Sequence, residues 1–414
     1  KNYLYTLLYH PEISSKELFE TGRHFVRDNG PDHPLSVSAP DVPLKSGQRL
    51  RIGYLSSDFH DHPVGHNILP LLGHHNHDRF EIFCYAELPK DDDITAIFHG
   101  YADHWRTVND IPNAEVAEMI RDDGIHIMVF LGGLFDKNRP TVAVHRPAPI
   151  QAGMFGGTTS ALDEMDYWIT DTILNPPDSQ KEERELFTEE PFHLPSLFTY
   201  PKLEDTPDIA PLPADDNGFI TFASFNKPGK INVTVLDLWS KLLKAVPDSR
   251  LMLKFKDYYG IPSISHRFLA RFESQGVSPD RISMISADDS PQDHLSHYGE
   301  TDIALDTFPF SGATTTFQAL WMGVPVISLL GERFIGRMGG SLSTQAGLED
   351  LVADNPDEYV EKAVALANDL PRLRELRAGM RQRISSSSLC DGPGFAANME
   401  NAFQTMWDRH ISGD

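Results

Sequence analysis

Cysteine is nearly absent from the 414-residue chain, which has only Cys84 and Cys390. Two thiols exclude a disulfide scaffold and a cysteine-ligated zinc site, and they suit a reducing, cytoplasmic setting. Long apolar runs are also missing. None approaches the roughly 20 residues of a membrane span, so no membrane partner is expected. The opening KNYLYTLLYHPEISSKELFE has neither signal-peptide architecture nor an initiating Met, which predicts a chain cut from a longer protein. Positive charge is scarce: 36 Lys and Arg stand against 60 Asp and Glu, for a net charge of −24. A nucleic-acid binder needs a basic footprint, so that class is excluded. An anionic ligand would have to be captured by local cations and helix N-termini against a repelling overall field. Dinucleotide GxGxxG and Walker motifs are absent, and so are internal repeats.

What is present describes a globular α/β protein. Apolar residues make up 40% of the chain and charged residues 23%, and the length calls for about two domains. Residues 1–48 read as a helical lead-in, with Leu4, Leu7, Leu8, Leu18, Phe19 and Phe25 at helical spacings, followed by a Pro-rich linker. From residue 49 to 205, apolar runs such as LRIGYLSSD, RFEIFCYA, IHIMVFLGG, APIQAGMF and MDYWITD alternate with helical stretches. A second Pro-rich stretch, YPKLEDTPDIAPLPADDNG, marks a boundary. The pattern restarts over 206–414 with GFITFASF, RLMLKF, RISMI, DIALD and VPVISL, and the end, from Glu349 onward, reads as helical. Alternation of this kind implies βαβ units and parallel sheets. Ligands of such sheets bind beyond the carboxyl ends of the strands, so the loops that follow strands are the candidates.

The first such loop, SSDFHDHPVGH, holds His60, His62 and His66. No carboxylate or cysteine set with metal spacing accompanies them, so no metal is expected. One imidazole would serve as a proton acceptor or donor, or all three are solvated loop histidines. His126 lies in an apolar run and reads as a core residue. Gly132 and Gly133 would let a ligand approach the backbone. DDD at 91–93 reads as a solvated loop. In the second half, FASFNKPGKIN places Lys227 and Lys230 between a strand and a helix, which is phosphate-binding geometry in outline. FPFSGATTTFQALW places Gly312, Ala313, Thr314, Thr315 and Thr316 at a helix start, where unpaired N–H groups and hydroxyls offer a seat to an anion or, more blandly, a Thr N-cap. Two lysines and this helix start together favour a diphosphate. His294 would lie beside a base or on a surface helix.

Taken in order, RIGYLSSDFHDHPVGH, DGIHIMV, HRPAPIQ, MDYWITD, ITFASFNKPGKIN, DIALDTFPFSGATTTFQALWMGVPVISL and CDGPGFAANMENAFQTMW resemble the catalytic region of O-linked N-acetylglucosamine transferases and the related SPINDLY-type protein O-fucosyltransferases. The resemblance covers essentially residues 1–410. The lead-in is similar to the family's link to upstream tetratricopeptide repeats. The resemblance implies two Rossmann-like domains of GT-B type facing a cleft: 49–205 on the acceptor side and 206–414 binding a nucleotide sugar without a metal or other cofactor. It implies that Lys230, Thr314 and Thr315 hold the donor diphosphate and that His294 packs on the base. His62 would work near a protein or peptide acceptor, with His126 as a further catalytic candidate. Asn226, Lys227, Gly312, Ala313, Gln318 and Gly156 complete the expected substrate contacts. The resemblance implies an inverting transfer to Ser or Thr hydroxyls with UDP-N-acetylglucosamine as donor; because Ala313, Lys227, Pro291 and Gln318 depart from the animal pattern, GDP-fucose stands as the alternative donor, and a binding-only pseudoenzyme as the reading from another class. Oligomeric state is not addressed by these residues.

Overall fold

The computed structural model describes residues 2–29, 39–45, 47–88, 90–177, 184–286 and 290–413; most of the Pro-rich linker over 31–47 lies outside them. Contacts divide the chain into two units. The first takes the described residues of Lys1–Leu8, Glu12–Pro201 and Asp391–Asp414, and the second those of Tyr9–Pro11 and Lys202–Cys390. The break at residue 201 falls inside the second Pro-rich stretch, where proline cannot extend a strand or helix.

The first unit holds a seven-stranded sheet in the order β3-β2-β1-β4-β5-β6-β7. Its strands are β1 (Leu50–Ser56), β2 (Phe80–Ala86), β3 (His104–Thr107), β4 (Ile127–Leu131), β5 (Ile150–Met154), β6 (Tyr167–Asp171) and β7 (Glu190–Leu194). Every pairing is parallel, with Ile52 beside both Ile82 and Ile127. Parallel strands buried on both faces read as unbroken apolar runs, and β4 (IMVFL) is buried at every position. The edge strands β3 (HWRT) and β7 (EPFHL) lack such a run, and the sequence reading passed over both.

The second unit holds six strands in the order β10-β9-β8-β11-β12-β13. These are β8 (Thr221–Ser224), β9 (Arg250–Lys254), β10 (Ile282–Ile285), β11 (Ile303–Leu305), β12 (Val326–Leu329) and β13 (Val352–Ala353). The helix Val233–Ala245 buries Val235, Leu238, Trp239 and Leu242, the face expected from its spacing. In both sheets the strand order reverses direction between two neighbours, β1 and β4 in one, β8 and β11 in the other. Crevices open at the carboxyl ends of strands at such switch points.

The last helix, Gly392–Ser412, corrects the domain boundary. It packs on the helix Pro63–Gly73 and against β5 and β7 of the first unit, not on the second unit with which its sequence was grouped. Met399, Phe403 and Met406 are fully buried there. Glu400 accepts hydrogen bonds from the Asn76 N–H (2.7 Å) and His75 Nδ1 (3.1 Å), and His75 Nε2 meets the Tyr54 hydroxyl at 2.8 Å.

Candidate functional site

At the switch point of the first sheet, β1 runs into Ser56-Ser57-Asp58 and β4 into Gly132–Asn138. Asp58 is buried. Its carboxylate accepts from Asn138 Nδ2 at 2.7 Å and from the Ser57 hydroxyl at 2.8 Å, and the Asn138 Oδ1 accepts the Ser57 N–H at 2.7 Å. His62 stands at the start of the helix Pro63–Gly73, where its Nδ1 accepts the Val64 N–H at 3.3 Å. That nitrogen lies 3.7 Å from Asp58 Oδ1, and Nε2 lies 3.4 Å from Asp136 Oδ2. Burial lowers the His62 pKa, but the hydrogen bond to Asp136 and the charges of Asp58, Asp136 and Asp61 outweigh it, so the net shift is upward. Asp58, His62 and Asp136 bring one ligand atom each within 4.8 Å of the others. The expectation that no carboxylates accompany these histidines is thus corrected: Asp136 arrives from β4, more than seventy positions along.

The glycine readings nearby also change. A side chain at Gly132 would meet Asn138 and Asp58, and one at Gly133 would fall 2.6 Å from the Gly156 Cα. These glycines, both at positive φ, bring the protein's own loops together at the point where a ligand was expected to approach. Gly156 is buried, its Cα hydrogen facing the Trp168 ring, where a Cβ would sit 2.9 Å away. Asp92 is exposed, in line with the solvated loop expected there, and makes two specific contacts. It caps the helix Asp93–Tyr101 by accepting from Thr95 N–H, and it also accepts the Asp61 N–H. His66 pairs with Asp61.

His126 stands apart from this group. It directly precedes β4, at the amino end of the strand, whereas the loops above follow carboxyl ends. It is wholly buried, its Nδ1 accepts the Arg51 N–H at 2.9 Å, and its ring lies edge-on to Trp407. Burial, reinforced by the Arg51 charge, pushes its pKa down to about 4, so the ring stays neutral and packs as an apolar group.

The second switch point gathers the rest. The segment after β8 carries Asn226, Lys227 and Lys230, and the one after β11 carries Asp306 through Thr316. Asp306, which the sequence reading did not single out, organises both. Buried beneath them, it accepts from the N–H groups of Gly312 (2.6 Å) and Thr307 (2.8 Å) and from the Ser328 hydroxyl (3.1 Å), with Asn226 Nδ2 at 3.5 Å. Burial raises its pKa to about 6 against those hydrogen bonds and Lys230. Lys230 Nζ donates to the Ser311 carbonyl at 2.7 Å and lies 4.1 Å from the centre of the Phe310 ring. Burial pushes Lys230 down to about 8; Asp306 opposes the shift and Lys227 adds to it. Tyr9 packs on Phe310, and the Lys227 ammonium lies over the Tyr9 ring, 5.9 Å from its centre.

The helix Thr314–Trp321 starts without a side-chain cap, because Ala313 occupies the N-cap. The three threonines lie inside the first turn, which rules out the bland reading of a Thr N-cap. Thr315 Oγ1 donates to Asn226 Oδ1 at 3.2 Å, whereas Thr314 Oγ1 is buried without a partner. A Cβ on Gly312 would come within 2.7 Å of both Thr315 Oγ1 and Thr316 Oγ1, so glycine is what lets the turn close. First-turn N–H groups without intrahelical partners, an unused hydroxyl and an adjacent lysine form an anion seat. Beside it a pocket of about 280 Å³ is lined by Phe225, Asn226, Tyr298, Asp306 and Thr315. His294 approaches this pocket through Phe225 and Tyr298, at ring distances of 5.7 and 6.1 Å, and its Nε2 meets Gln318 Oε1 at 3.3 Å. The side chain of Pro291 lies outside the described set. No described helix is long and apolar enough to cross a membrane.

Comparison with known proteins matches residues 33–199 and 210–399 to the model of glycosyl transferase family 41. A tomato (Solanum lycopersicum) protein named as a probable UDP-N-acetylglucosamine–peptide N-acetylglucosaminyltransferase SPINDLY is 36% identical over 100% of the chain and 44% of its own length. The chain therefore spans less than half of that relative. A solved mutant of the Thermobaculum terrenum O-GlcNAc transferase superposes with a TM-score of 0.89 at 33% identity, over 99% of this chain and 77% of that one. Sucrose-phosphate synthase from Thermosynechococcus elongatus, at 12% identity and a TM-score of 0.51 over 87% of this chain and 100% of that one, shares the fold alone.

Proposed function

The chain belongs to glycosyl transferase family 41, and from that premise we propose that it is an inverting glycosyltransferase that moves N-acetylglucosamine from UDP-N-acetylglucosamine to Ser or Thr hydroxyls of a polypeptide. The observation that carries this reading is the uncapped helix start at Thr314 with Lys230 beside it. A leaving diphosphate gains negative charge as the glycosidic bond breaks, and fixed N–H donors and a cation stabilise that charge without reorganising. On the first unit, His62 is placed to take the proton of the attacking hydroxyl. For Nε2 to present a lone pair, Nδ1 must release the Val64 N–H that it accepts in the structure and carry the ring proton toward Asp58, while an acceptor hydroxyl takes the place now facing Asp136.

The donor assignment follows the names of the relatives and is tested by competition calorimetry. UDP is expected to bind tighter than GDP, and N-acetylglucosamine to appear on a test peptide. Tighter GDP binding with transfer of fucose would overturn the donor, and release of no nucleotide from any sugar donor would leave a binding protein in place of an enzyme.

Activity is expected to survive EDTA. Lys230 and the helix start serve the diphosphate, while the carboxylate of Asp58 is already engaged by Asn138 and Ser57. Loss of turnover on chelation, restored by added manganese or magnesium, would show instead that Asp58, His62 and Asp136 hold an ion.

A further inference from the structure

Lys254 ends β9, and its side chain is fully buried. Its Nζ is hydrogen-bonded to Nδ1 of His294 and lies 5.7 Å from the centre of the Phe225 ring. On the far side of the imidazole, Nε2 meets Gln318 Oε1. This row has one consistent polarity. An ammonium only donates, so Nδ1 must offer its lone pair; a neutral imidazole then carries its proton on Nε2 and donates to the Gln318 oxygen. The Gln318 amide nitrogen is thereby turned away from the ring, with its N–H donors available. Gln318 follows Thr314 by one turn of the same helix, so the two side chains share a face. A ligand with phosphates at the helix start would extend its nucleoside along that face.

We infer that Lys254 is a positioning residue for the nucleoside end of the donor: through His294 it fixes the orientation of Gln318, whose amide then donates to an acceptor oxygen of the nucleoside. The inference rests on the reading of the second unit as a nucleotide-sugar site. Lys254 touches no substrate itself. Its effect is on affinity, and the sugar-transfer step is left alone.

The test compares K254M, similar in length but without a donor, with K254Q, which keeps an N–H donor near Nδ1. Binding of UDP is measured by calorimetry, donor KM and kcat by turnover, and the His294 tautomer by nitrogen-15 NMR. K254M is expected to weaken UDP about tenfold, the effect of one lost hydrogen bond, and to raise donor KM in step while kcat stays within about twofold. Its His294 loses the single Nε2–H signature. K254Q keeps that signature and stays within about threefold of wild type in affinity. Q318L, a change at a half-buried position, should weaken UDP to a similar degree, and the K254M/Q318L double variant should be no weaker than either alone, since both act through one contact. Additive losses, unchanged affinity in K254M, or equal losses in K254M and K254Q would overturn the inference while leaving the donor site standing. If K254M does not fold, K254Q and Q318L decide the matter between them: a tautomer change in K254Q with no loss of affinity also overturns it. Absence of any UDP binding by the wild-type protein overturns both this and the reading beneath it.

Discussion

The Lys230→Met variant should lose about 10²–10³-fold in turnover while melting within about 3 °C of the wild type. Lys230 sits in a polar loop, where a methionine can lie along the Phe310 ring that the ammonium now covers. The change therefore removes a cation from the developing diphosphate charge and opens no cavity. Stability should not suffer for a second reason. Burial holds Lys230 at about 8 in the folded chain, below the ordinary lysine value of about 10.4. The unfolded chain thus binds more protons between those values, so this lysine makes stability rise with pH across that window and opposes folding at neutral pH. The same low value limits the donor site. As pH rises through about 8 the cation is lost, and donor affinity should fall with it. K230M should show no such pH dependence. Near-normal turnover in K230M would remove the residue from the mechanism, and a large fall in melting temperature would mark it as structural.

His62→Ala should slow transfer by about 10²–10⁴-fold, the range for a lost general base, and leave UDP affinity unchanged. The donor seat is built from loops after β8 and β11, and His62 belongs to the loop after β1. Asp58→Asn should give a smaller loss of the same kind, because an amide cannot stabilise the proton on Nδ1 as a carboxylate does. Proton acceptance requires neutral imidazole. With its pKa raised above the ordinary value by Asp136 and Asp58 against the effect of burial, the acid limb of the rate profile should lie at higher pH than for an unperturbed histidine. Together with Lys230 this gives a bell with its alkaline limb near 8. A fall in UDP affinity that matches the fall in rate would move His62 to the donor side.

Much of this could be read along the chain because parallel strands announce themselves. β1, β2, β4, β5, β8 and β11 are apolar runs, and the loops after β1, β8 and β11 contain the residues that the fold gathers: His62, Asn226, Lys230 and Thr315. The failures share a cause. Asp58, Asp136 and Asp306 were overlooked because an acid beside a strand end looks ordinary until a partner arrives from another strand; Asn138 reaches Asp58 across eighty positions. The position of Asp306, directly after the apolar β11, was the available signal. Gly132 and Gly133 were misread for the same reason, since adjacency along the chain does not say which surface fills the space above a glycine. His126 read as a core residue from its apolar run, which its burial bears out; its further candidacy as a catalyst did not foresee that it precedes its strand, and the end of a strand on which a residue falls cannot be judged from an apolar run whose limits are uncertain by one or two positions.

The packing of Gly392–Ser412 onto the first sheet sets an order of events during synthesis. The second unit draws on Lys202–Cys390 and on Tyr9–Pro11, all of which have been made once residue 390 emerges from the ribosome. The first unit has its strands much earlier, but the face of Pro63–Gly73 that the helix Gly392–Ser412 covers stays bare until that helix is made. Of the two units, the one begun first is therefore finished last, and a ribosome stalled just after residue 390 would hold a completed second unit behind a first unit with its apolar flank still open. Stop codons shortly after residue 390 should for that reason cost the first unit its fold, and a protease-resistant fragment from such a product should map to residues 202–390.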